Sequence, residues 1–309
     1  MTSWHGKPYY SLDSYLKNTY GRKMYKVSLD AGMTCPNRDG TLDHRGCIFC
    51  STGGSGDFAG DRAAGIHTQI DDQIRMIQKK SSAQDFIAYF QAYTNTYAPL
   101  SYLKDVYMEA LEHPSVAILD IATRPDCLPD EVLDLLEKLN RKKPVWVELG
   151  LQTIHPSTAA YIRRGYDLSC FEDAVRKLHT RNIPVIVHTI LGLPGENVSD
   201  ALATIQYLNQ LPIFGIKLQL LHVLKNTDLA ADYEKGMFRT LEQEEYLDLV
   251  ITCLQQLSPD IVVHRVTGDG PKKLLISPLW SGNKRAVLNR LHRKMALGNF
   301  RQGQNFVVY

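Results

Sequence analysis

The chain of 309 residues contains no run of about eighteen apolar residues, which argues against a membrane-spanning helix. Its first residues lack a basic segment followed by an apolar one, so they do not resemble a secretory signal and we expect a cytoplasmic protein. Six cysteines are too few for a disulfide framework at this length. The sequence also lacks GxGxxG after a strand, a Walker loop, GxSxG and HExxH, the motifs of dinucleotide binding, phosphate binding, serine hydrolysis and zinc proteolysis.

Acidic residues are absent from Pro271 to Tyr309, where eight lysines and arginines occur. The whole chain has a formal net charge of +2, so the first 270 residues carry a net charge of −6. This asymmetry predicts an anionic partner near the C-terminal end, although a solvated helix face would carry the same charges. We expect a core unit over residues 1–270, with residues 1–24 packed on it, and a basic extension over 271–309.

Short apolar segments alternate with longer amphipathic segments along most of the chain. The apolar segments predict six strands and a further candidate at 261–264; the six are 25–30, 86–91, 116–122, 145–151, 185–191 and 215–221. Helical spacing between them predicts βα units and a parallel sheet. The fold class is therefore α/β, an open (β/α)6 partial TIM-like barrel with a basic helix over 285–295; a complete eight-unit barrel is the alternative.

Three of the six cysteines lie together directly after the first predicted strand. Cys35, Cys47 and Cys50 have the spacing C-x11-C-x2-C. Clustered cysteines in a reducing compartment predict a metal site. A structural zinc ion takes four ligands, so zinc would also require His44 or a distant cysteine. A 4Fe-4S cluster held by three cysteines would instead leave one iron free for a small molecule, and the spacing alone leaves both sites open.

The cysteine stretch resembles the cluster loop of the radical S-adenosylmethionine (SAM) superfamily. Phe49 precedes the last cysteine, and the pair Gly53-Gly54 follows it. The gap of eleven residues departs from the common three-residue gap and resembles that of the Elp3-type wobble-uridine enzymes. More narrowly, from about Tyr9 to the C-terminus, the chain resembles the bacterial YtqA/YhcC family, which includes MnmL-type tRNA-modifying enzymes.

The resemblance implies a radical SAM enzyme with one 4Fe-4S cluster on Cys35, Cys47 and Cys50. Such an enzyme cleaves SAM reductively to methionine and a 5′-deoxyadenosyl radical, and it takes its electron from a flavodoxin or ferredoxin-type donor. The resemblance also implies action on the wobble uridine (U34) of tRNA. The expected reaction converts 5-carboxymethylaminomethyl-(2-thio)uridine to the 5-aminomethyl form.

Polar residues follow the predicted strands, at the ends where barrel enzymes bind their ligands. The resemblance implies that SAM is bound by residues at these ends: Thr94, Asn95, Arg124, Glu148, Gln152, Arg163 and His188. A carboxylate in an apolar strand is costly to bury unpaired, so the alternative for Glu148 is an internal salt bridge to Arg163 or Arg164. The alternative for His188 is a hydrogen-bonded core histidine.

The basic C-terminal helix is the predicted tRNA contact. Five of its side chains are expected to bind phosphates, and Tyr93 or Tyr97 to stack on a flipped-out base; the five are Lys284, Arg285, Arg290, Arg293 and Lys294.

Two other functions remain open. One is a radical SAM enzyme acting on a small metabolite, which salt-insensitive activity without RNA would favour. The other is a non-catalytic, zinc-stabilised RNA-binding module, which zinc in place of iron would favour.

Overall fold

Seven parallel strands form the central sheet of the computed structural model, which describes residues 4–54, 56–268 and 270–307. From one edge to the other they are β1 (Tyr25–Leu29), β2 (Phe86–Phe90), β3 (Val116–Thr123), β4 (Val145–Gln152), β5 (Val185–Leu191), β6 (Gly215–Leu220) and β8 (Val262–Arg265). The short strands β7 (Val223–Leu224) and β9 (Leu275–Ser277) form a separate antiparallel pair. Residues 1–3 of the expected N-terminal segment and 308–309 of the expected extension lie outside the described residues.

Helices connect the strands, and the longer crossover helices pack on the outer face of the curled sheet. They are α1 (Leu12–Tyr20), α2 (Ile66–Gln78), α3 (Leu100–Glu112), α4 (Asp130–Asn140), α5 (Pro156–Tyr161), α6 (Leu168–Thr180), α7 (Val198–Leu208), α8 (Asp228–Glu234), α9 (Gln243–Gln256) and α10 (Lys284–Leu297). Each crossover helix buries one apolar stripe, as α4 does with Val132, Leu136 and Leu139. Short 3-10 turns occur at Pro125–Cys127 and Leu279–Gly282.

The predicted fold class is confirmed. All six predicted strands form within one or two residues of their expected ends, and the candidate at 261–264 forms a seventh parallel strand, β8. The described part of the sheet is open, because β1 and β8 lie at its two edges. The sequence did not predict α5, α8, β7 and β9, since elements of two to seven residues are too short to show a hydrophobic period.

Alternation along the strands divides the interior of the barrel into layers. At the lower level, four strand residues pack against α1 and form an apolar floor: Ile87, Ile118, Trp146 and Ile186. Two residues further along the same strands, the inward side chains are polar or charged: Tyr89, Asp120, Glu148 and His188. Two residues further again, the inward positions line a cavity: Gln91, Ala122, Gly150 and Ile190. The period of two therefore stacks an ionisable layer between an apolar floor and the cavity.

The basic helix α10 packs against α9 through Val287, Leu291 and Met295, which are spaced at four residues and buried. Asn283 begins the helix, because its side chain accepts a hydrogen bond from the backbone N–H of Ala286 at 3.2 Å. Across the described parts of the chain, no helix is both long enough and apolar enough to cross a membrane.

Candidate active site

A cavity of about 250 Å³ opens at the C-terminal ends of the parallel strands. Its wall combines the cysteine loop after β1 with the ends of β2 to β6 and the loop after β8. Among the residues predicted from the sequence, those that line it are Cys35, Cys47, Cys50, Thr94, Arg124, Glu148, Gln152 and His188. Parallel strands present their carboxyl ends at one edge, and this common edge brings together residues that are far apart in sequence.

The cysteine loop folds through tight backbone turns. The N–H of Cys50 donates to the carbonyl of Cys47 at 3.0 Å, and the N–H of Arg38 donates to the carbonyl of Cys35 at 2.8 Å. The Arg38 guanidinium donates to the carbonyls of Cys50 and Ser51 at 2.9 and 2.6 Å, which closes the loop on itself. None of the three cysteines forms a disulfide bond with another described residue.

Burial raises the pKa of the Cys47 thiol to about 12. A thiolate at this position therefore requires compensating positive charge, which a metal centre supplies. Within residues 4–54, 56–268 and 270–307, no three His, Cys, Asp or Glu side chains form a group that could hold one metal ion. In a 4Fe-4S cluster each cysteine binds a different iron atom, so the cysteines of a cluster do not surround one metal ion as the ligands of a single-ion site do.

Asn37 is a member of the site that the sequence reasoning missed. This side chain is 2% exposed, and its amide N–H donates to the carbonyl of Arg163 at 2.8 Å. The same nitrogen lies 3.5 Å from Cys47 Sγ. Asn37 therefore fastens the cysteine loop to the loop after α5. Asn37 stands between Cys35 and Cys47 in the sequence, which could have indicated a place in the site, but its partner Arg163 is 126 residues away.

Two of the predicted SAM-binding residues do not line the cavity. The side chain of Asn95 is fully buried and donates to the carbonyls of Phe90 and Ala122, at 3.0 and 2.8 Å, which holds the ends of β2 and β3 together. Arg163 forms a 2.5 Å ion pair with Asp228 at the start of α8. A SAM contact by these two side chains stays a prediction that the described geometry does not support.

Gln152 has an unusual environment for a polar side chain. It ends β4 at an irregularity in the β4–β5 register, with a φ of 68° in the left-handed region. Its Oε1 is buried and has no hydrogen-bond partner among the described residues. A buried acceptor without a donor is costly, and a donor on a bound ligand would relieve that cost. Arg124 lies on the same wall, held by two hydrogen bonds to Asp126 at 2.9 and 2.7 Å.

Glu148 has an internal salt bridge, but with partners other than the expected arginines. Its carboxylate pairs with Lys26 from β1 at 2.7 Å and with Lys217 from β6, and it accepts a hydrogen bond from His188 at 2.6 Å. Arg164 instead donates to backbone carbonyls, including that of Thr153 at 2.6 Å. Burial alone would raise the pKa of Glu148, but the two lysines outweigh it and hold that pKa well below its usual range.

Every strand of the main sheet contributes one ionisable side chain at this level. We call this set the ionic layer: Lys26, Tyr89, Asp120, Glu148, His188, Lys217 and Arg265. Lys26 pairs with Asp120 and Glu148, and Lys217 contacts the hydroxyl of Tyr89 at 3.1 Å. Burial lowers the pKa of His188 to about 4, so this histidine is neutral. Five members of the ionic layer line the cavity: Tyr89, Glu148, His188, Lys217 and Arg265.

The profile of the Radical SAM superfamily matches residues 44–208, and that of the Radical_SAM C-terminal domain matches residues 213–296. The chain belongs to the radical SAM superfamily. Radical SAM membership implies a bound SAM and a 4Fe-4S cluster.

Two bacterial relatives align over nearly the whole chain. YtqA of Bacillus subtilis is 44% identical over 300 residues, which are 97% of this chain and 93% of YtqA. YhcC of Escherichia coli strain K12 is 36% identical over 279 residues, which are 90% of this chain and 89% of YhcC. These matches confirm the predicted likeness to the YtqA/YhcC family.

Elp3-type proteins are more distant relatives. A tRNA uridine(34) acetyltransferase of Methanocaldococcus jannaschii is 23% identical over 178 residues, which are 57% of this chain and 32% of that protein. The solved structure of Methanocaldococcus infernus Elp3 with an N-terminal deletion superimposes with a TM-score of 0.66 at 16% identity. That match covers 90% of this chain and 65% of the Elp3 chain, and it shows a shared fold.

The residues of the cavity fit the two cofactors that the radical SAM family implies. Three thiols stand at its rim, where a cluster requires thiolate ligands. Gln152 Oε1, which has no hydrogen-bond partner among the described residues, could accept from the ammonium or a hydroxyl of SAM. Arg38 and Arg124 line the same cavity as the thiols, and a guanidinium there could pair with the carboxylate of SAM.

Proposed function

We propose that the protein is a radical SAM enzyme that modifies the wobble uridine of tRNA, converting a 5-carboxymethylaminomethyl group to a 5-aminomethyl group. One observation carries the proposal: three cysteines with the wide Elp3-like spacing open onto the same cavity as the buried, unpartnered acceptor of Gln152. The full-length likeness to YtqA and YhcC and the weaker likeness to a tRNA uridine(34) acetyltransferase support it.

Different residues of the chain would have separate roles at this site. Cys35, Cys47 and Cys50 would hold the cluster, and Gln152 and Arg124 would orient SAM against it. When bound, the cluster would supply the electron for reductive cleavage of SAM, and the radical so formed would remove a hydrogen atom from the CH2 beside the substrate's carboxylate. Return of one electron to the cluster and addition of water would then release the two carbons as glyoxylate and leave the 5-aminomethyl group. Thr94, also buried in the wall, would donate or accept one further hydrogen bond.

The base would enter from the open end of the cavity. Tyr93 and Tyr97 were the predicted stacking residues, and both hydroxyls are already bonded to the cysteine loop. Tyr93 donates to the carbonyl of Thr52 at 2.5 Å, and Tyr97 contacts the hydroxyl of Thr41 at 2.9 Å. Tyr93 lines the cavity, and its held ring would lower the entropy cost of stacking on a base, whereas Tyr97 does not line the cavity.

The basic helix α10 would contact the tRNA backbone with only part of its charge. Arg290 pairs with Glu244 of α9, and Lys294 pairs with Glu244 at 3.0 Å and Asp248 at 2.7 Å. Arg285 and Arg293 are exposed on the same helix. We expect phosphate binding mainly from these two arginines, with a lower salt dependence than five free cations would give.

The test is anaerobic reconstitution of the full chain, followed by iron and sulfide analysis and a search for 5′-deoxyadenosine after addition of SAM and dithionite. We expect about four irons per chain and nucleoside formation that is lost in Cys47→Ala. Cys170→Ala is the matched control, because this cysteine lies outside the loop. Zinc without SAM cleavage would contradict the proposal.

The substrate is tested separately with tRNA whose wobble uridine carries the 5-carboxymethylaminomethyl group. Nucleoside mass spectrometry should show the 5-aminomethyl form after incubation with the reconstituted enzyme, SAM and reductant. Unchanged tRNA alongside active SAM cleavage would favour a small metabolite as the substrate.

A further inference from the structure

The cysteine loop contains an arginine of its own. Arg38 stands in the eleven-residue gap between Cys35 and Cys47, and it lines the cavity together with all three cysteines of the loop. A guanidinium is not deprotonated in proteins, so this residue brings a permanent positive charge to the thiols. The loop that would hold the cluster therefore carries a counter-charge for its thiolates.

Contacts within the loop hold this guanidinium beside the last cysteine. Arg38 Nη2 donates to the carbonyls of Cys50 and Ser51 at 2.9 and 2.6 Å. The Arg38 side chain also forms a hydrogen bond with the side chain of Cys50. Its Cζ lies 5.8 Å from the centre of the Tyr93 ring, within the range of a cation–π contact. These contacts fix both the place of the charge and its orientation toward the Cys50 sulfur.

Gly46 leaves the room that the Arg38 side chain occupies. This glycine directly precedes Cys47 and has a φ of 76°, in the left-handed region. A Cβ at this position would lie 2.8 Å from Arg38 Nε and 3.2 Å from Arg38 Cγ. A side chain at residue 46 would therefore displace the arginine. The two ends of the gap between the cysteines are thus built around one guanidinium.

The other guanidinium on this wall is balanced by a carboxylate. Arg124 forms two hydrogen bonds with Asp126, at 2.9 and 2.7 Å, and the two residues are an ion pair. The acceptors of Arg38 among the described residues are two backbone carbonyls and the Cys50 side chain. Of the two arginines, Arg38 is therefore the one whose charge is directed at a cysteine.

We propose that Arg38 is a positioning residue for the 4Fe-4S cluster and raises the reduction potential of that cluster. Reduction by one electron from an external donor adds one negative charge, and a fixed cation beside a ligating sulfur stabilises the reduced form more than the oxidised form. A hydrogen bond to that sulfur acts in the same direction. The inference rests on the part of the proposed function that places a cluster on Cys35, Cys47 and Cys50, and it does not depend on the substrate.

The test is a redox titration of the anaerobically reconstituted protein without SAM, in which EPR spectroscopy measures the reduced cluster at each potential. Arg38→Gln removes the charge but keeps a side chain that can donate to the loop carbonyls. At the midpoint potential of the wild type, the ratio of reduced to oxidised cluster should be about tenfold lower in this variant, which corresponds to a midpoint about 59 mV lower.

Arg62→Gln is the matched control. The Arg62 guanidinium also lies 5.8 Å from the Tyr93 ring, but it donates to the carbonyl of Met33 at 2.9 Å, which lies outside Cys35–Cys50. The control removes a cation from the same neighbourhood, so its midpoint potential should stay close to that of the wild type.

Arg38→Lys separates the charge from the shape of the guanidinium. The new ammonium keeps the charge at pH 7, so the midpoint potential should stay above that of Arg38→Gln. An ammonium loses its proton at about pH 10, whereas a guanidinium does not. As the pH rises toward about 10, the potential of Arg38→Lys should therefore fall below that of the wild type. This measurement decides the matter if Arg38→Gln does not retain the cluster.

A full cluster with an unchanged midpoint potential in Arg38→Gln would overturn the inference. If that variant also binds SAM more weakly, Arg38 is a ligand of SAM and not a residue that adjusts the cluster. Equal falls in Arg38→Gln and Arg62→Gln would overturn it as well, because any nearby cation would then have the same effect. A wild-type protein that takes up no iron and sulfide would contradict the proposed function, and the inference with it, so the two failures differ in whether a cluster is present.

Discussion

Glu148 Oε1 lies 2.7 Å from Lys26 Nζ, and this ion pair joins the fourth strand of the sheet to the first across the interior of the barrel. The other oxygen of Glu148 binds Lys217 and His188, from the sixth and fifth strands. One carboxylate therefore connects four strands. The two lysines lie 69 and 122 residues from it in the sequence, so the contact forms only once the sheet has curled.

Glu148→Gln should strongly destabilise the fold. The substitution leaves Lys26 and Lys217 buried beside fewer negative charges, and breaking a buried pair in this way costs about 3 to 5 kcal/mol. Denaturant unfolding of the wild type and the variant measures the difference. Glu137→Gln is the matched control, because Glu137 forms a surface pair with Arg141 at 2.7 Å and should cost less than about 1 kcal/mol. Equal effects of the two substitutions would contradict the structural role of the ionic layer.

His188 should make the fold sensitive to mild acid. Its pKa is lowered to about 4 by burial and by Lys217, against an ordinary value of 6.5, so the unfolded chain binds the proton first as pH falls. His188 contributes at most about 3 kcal/mol to the free energy of unfolding. This contribution is fully present above pH 6.5 and is lost progressively as the pH falls from 6.5 to 4. His188→Gln keeps a donor for Glu148 but does not titrate. Its free energy of unfolding should fall less steeply than that of the wild type over this range, and parallel curves would show that His188 does not contribute.

Asn37 should control retention of the metal cluster. Asn37→Ala removes the 2.8 Å hydrogen bond to the partly buried carbonyl of Arg163, which keeps only the weak contact with the Cys47 thiol at 3.6 Å, at a cost of about 1 to 3 kcal/mol. We expect less iron per chain after reconstitution and faster loss of iron to a chelator. Thr41→Ala is the control in the same loop, since Thr41 is exposed and its hydroxyl contacts the side chains of Tyr97 and Asp39, not the loop after α5. Equal iron retention by both variants would mean that the loop does not depend on Asn37.

Gln152→Met should weaken SAM binding without loss of the cluster. Met keeps the unbranched stem of Gln at a backbone φ of 68° but removes the unpartnered acceptor. The loss of one buried hydrogen bond, about 1.4 kcal/mol, corresponds to a tenfold higher Kd for SAM. The free protein should be no less stable, because the acceptor has no partner to lose. An unchanged Kd with normal iron content would remove Gln152 from the proposed SAM site.

Sequence reasoning predicted the strands and the cysteine loop because both depend on local pattern. The alternation in Val145–Gln152 placed Glu148 and Gln152 on the inner face, and both do line the cavity. It could not identify Lys26 and Lys217 as the partners of Glu148, because strand stagger and sheet curvature determine which side chains meet. The count of charges in the sequence likewise overstated how much positive charge α10 presents to an anion. Lys294 pairs with Glu244, which lies 50 residues away in the sequence.

The pairing between α9 and α10 predicts opposite effects of two substitutions on tRNA binding. Arg285→Glu with Arg293→Glu reverses the exposed charges, so affinity should fall and the slope of binding against salt concentration should become shallower. Glu244→Gln removes the shared partner of Arg290 and Lys294, so affinity should rise at low salt.

Lys79→Glu with Lys80→Glu, two exposed lysines after α2, is the charge-matched control and should have little effect. Fluorescence anisotropy with labelled tRNA at several salt concentrations measures all three. If the control weakens binding as much as the α10 variant, attraction to the protein as a whole explains the affinity, and α10 has no special part in it.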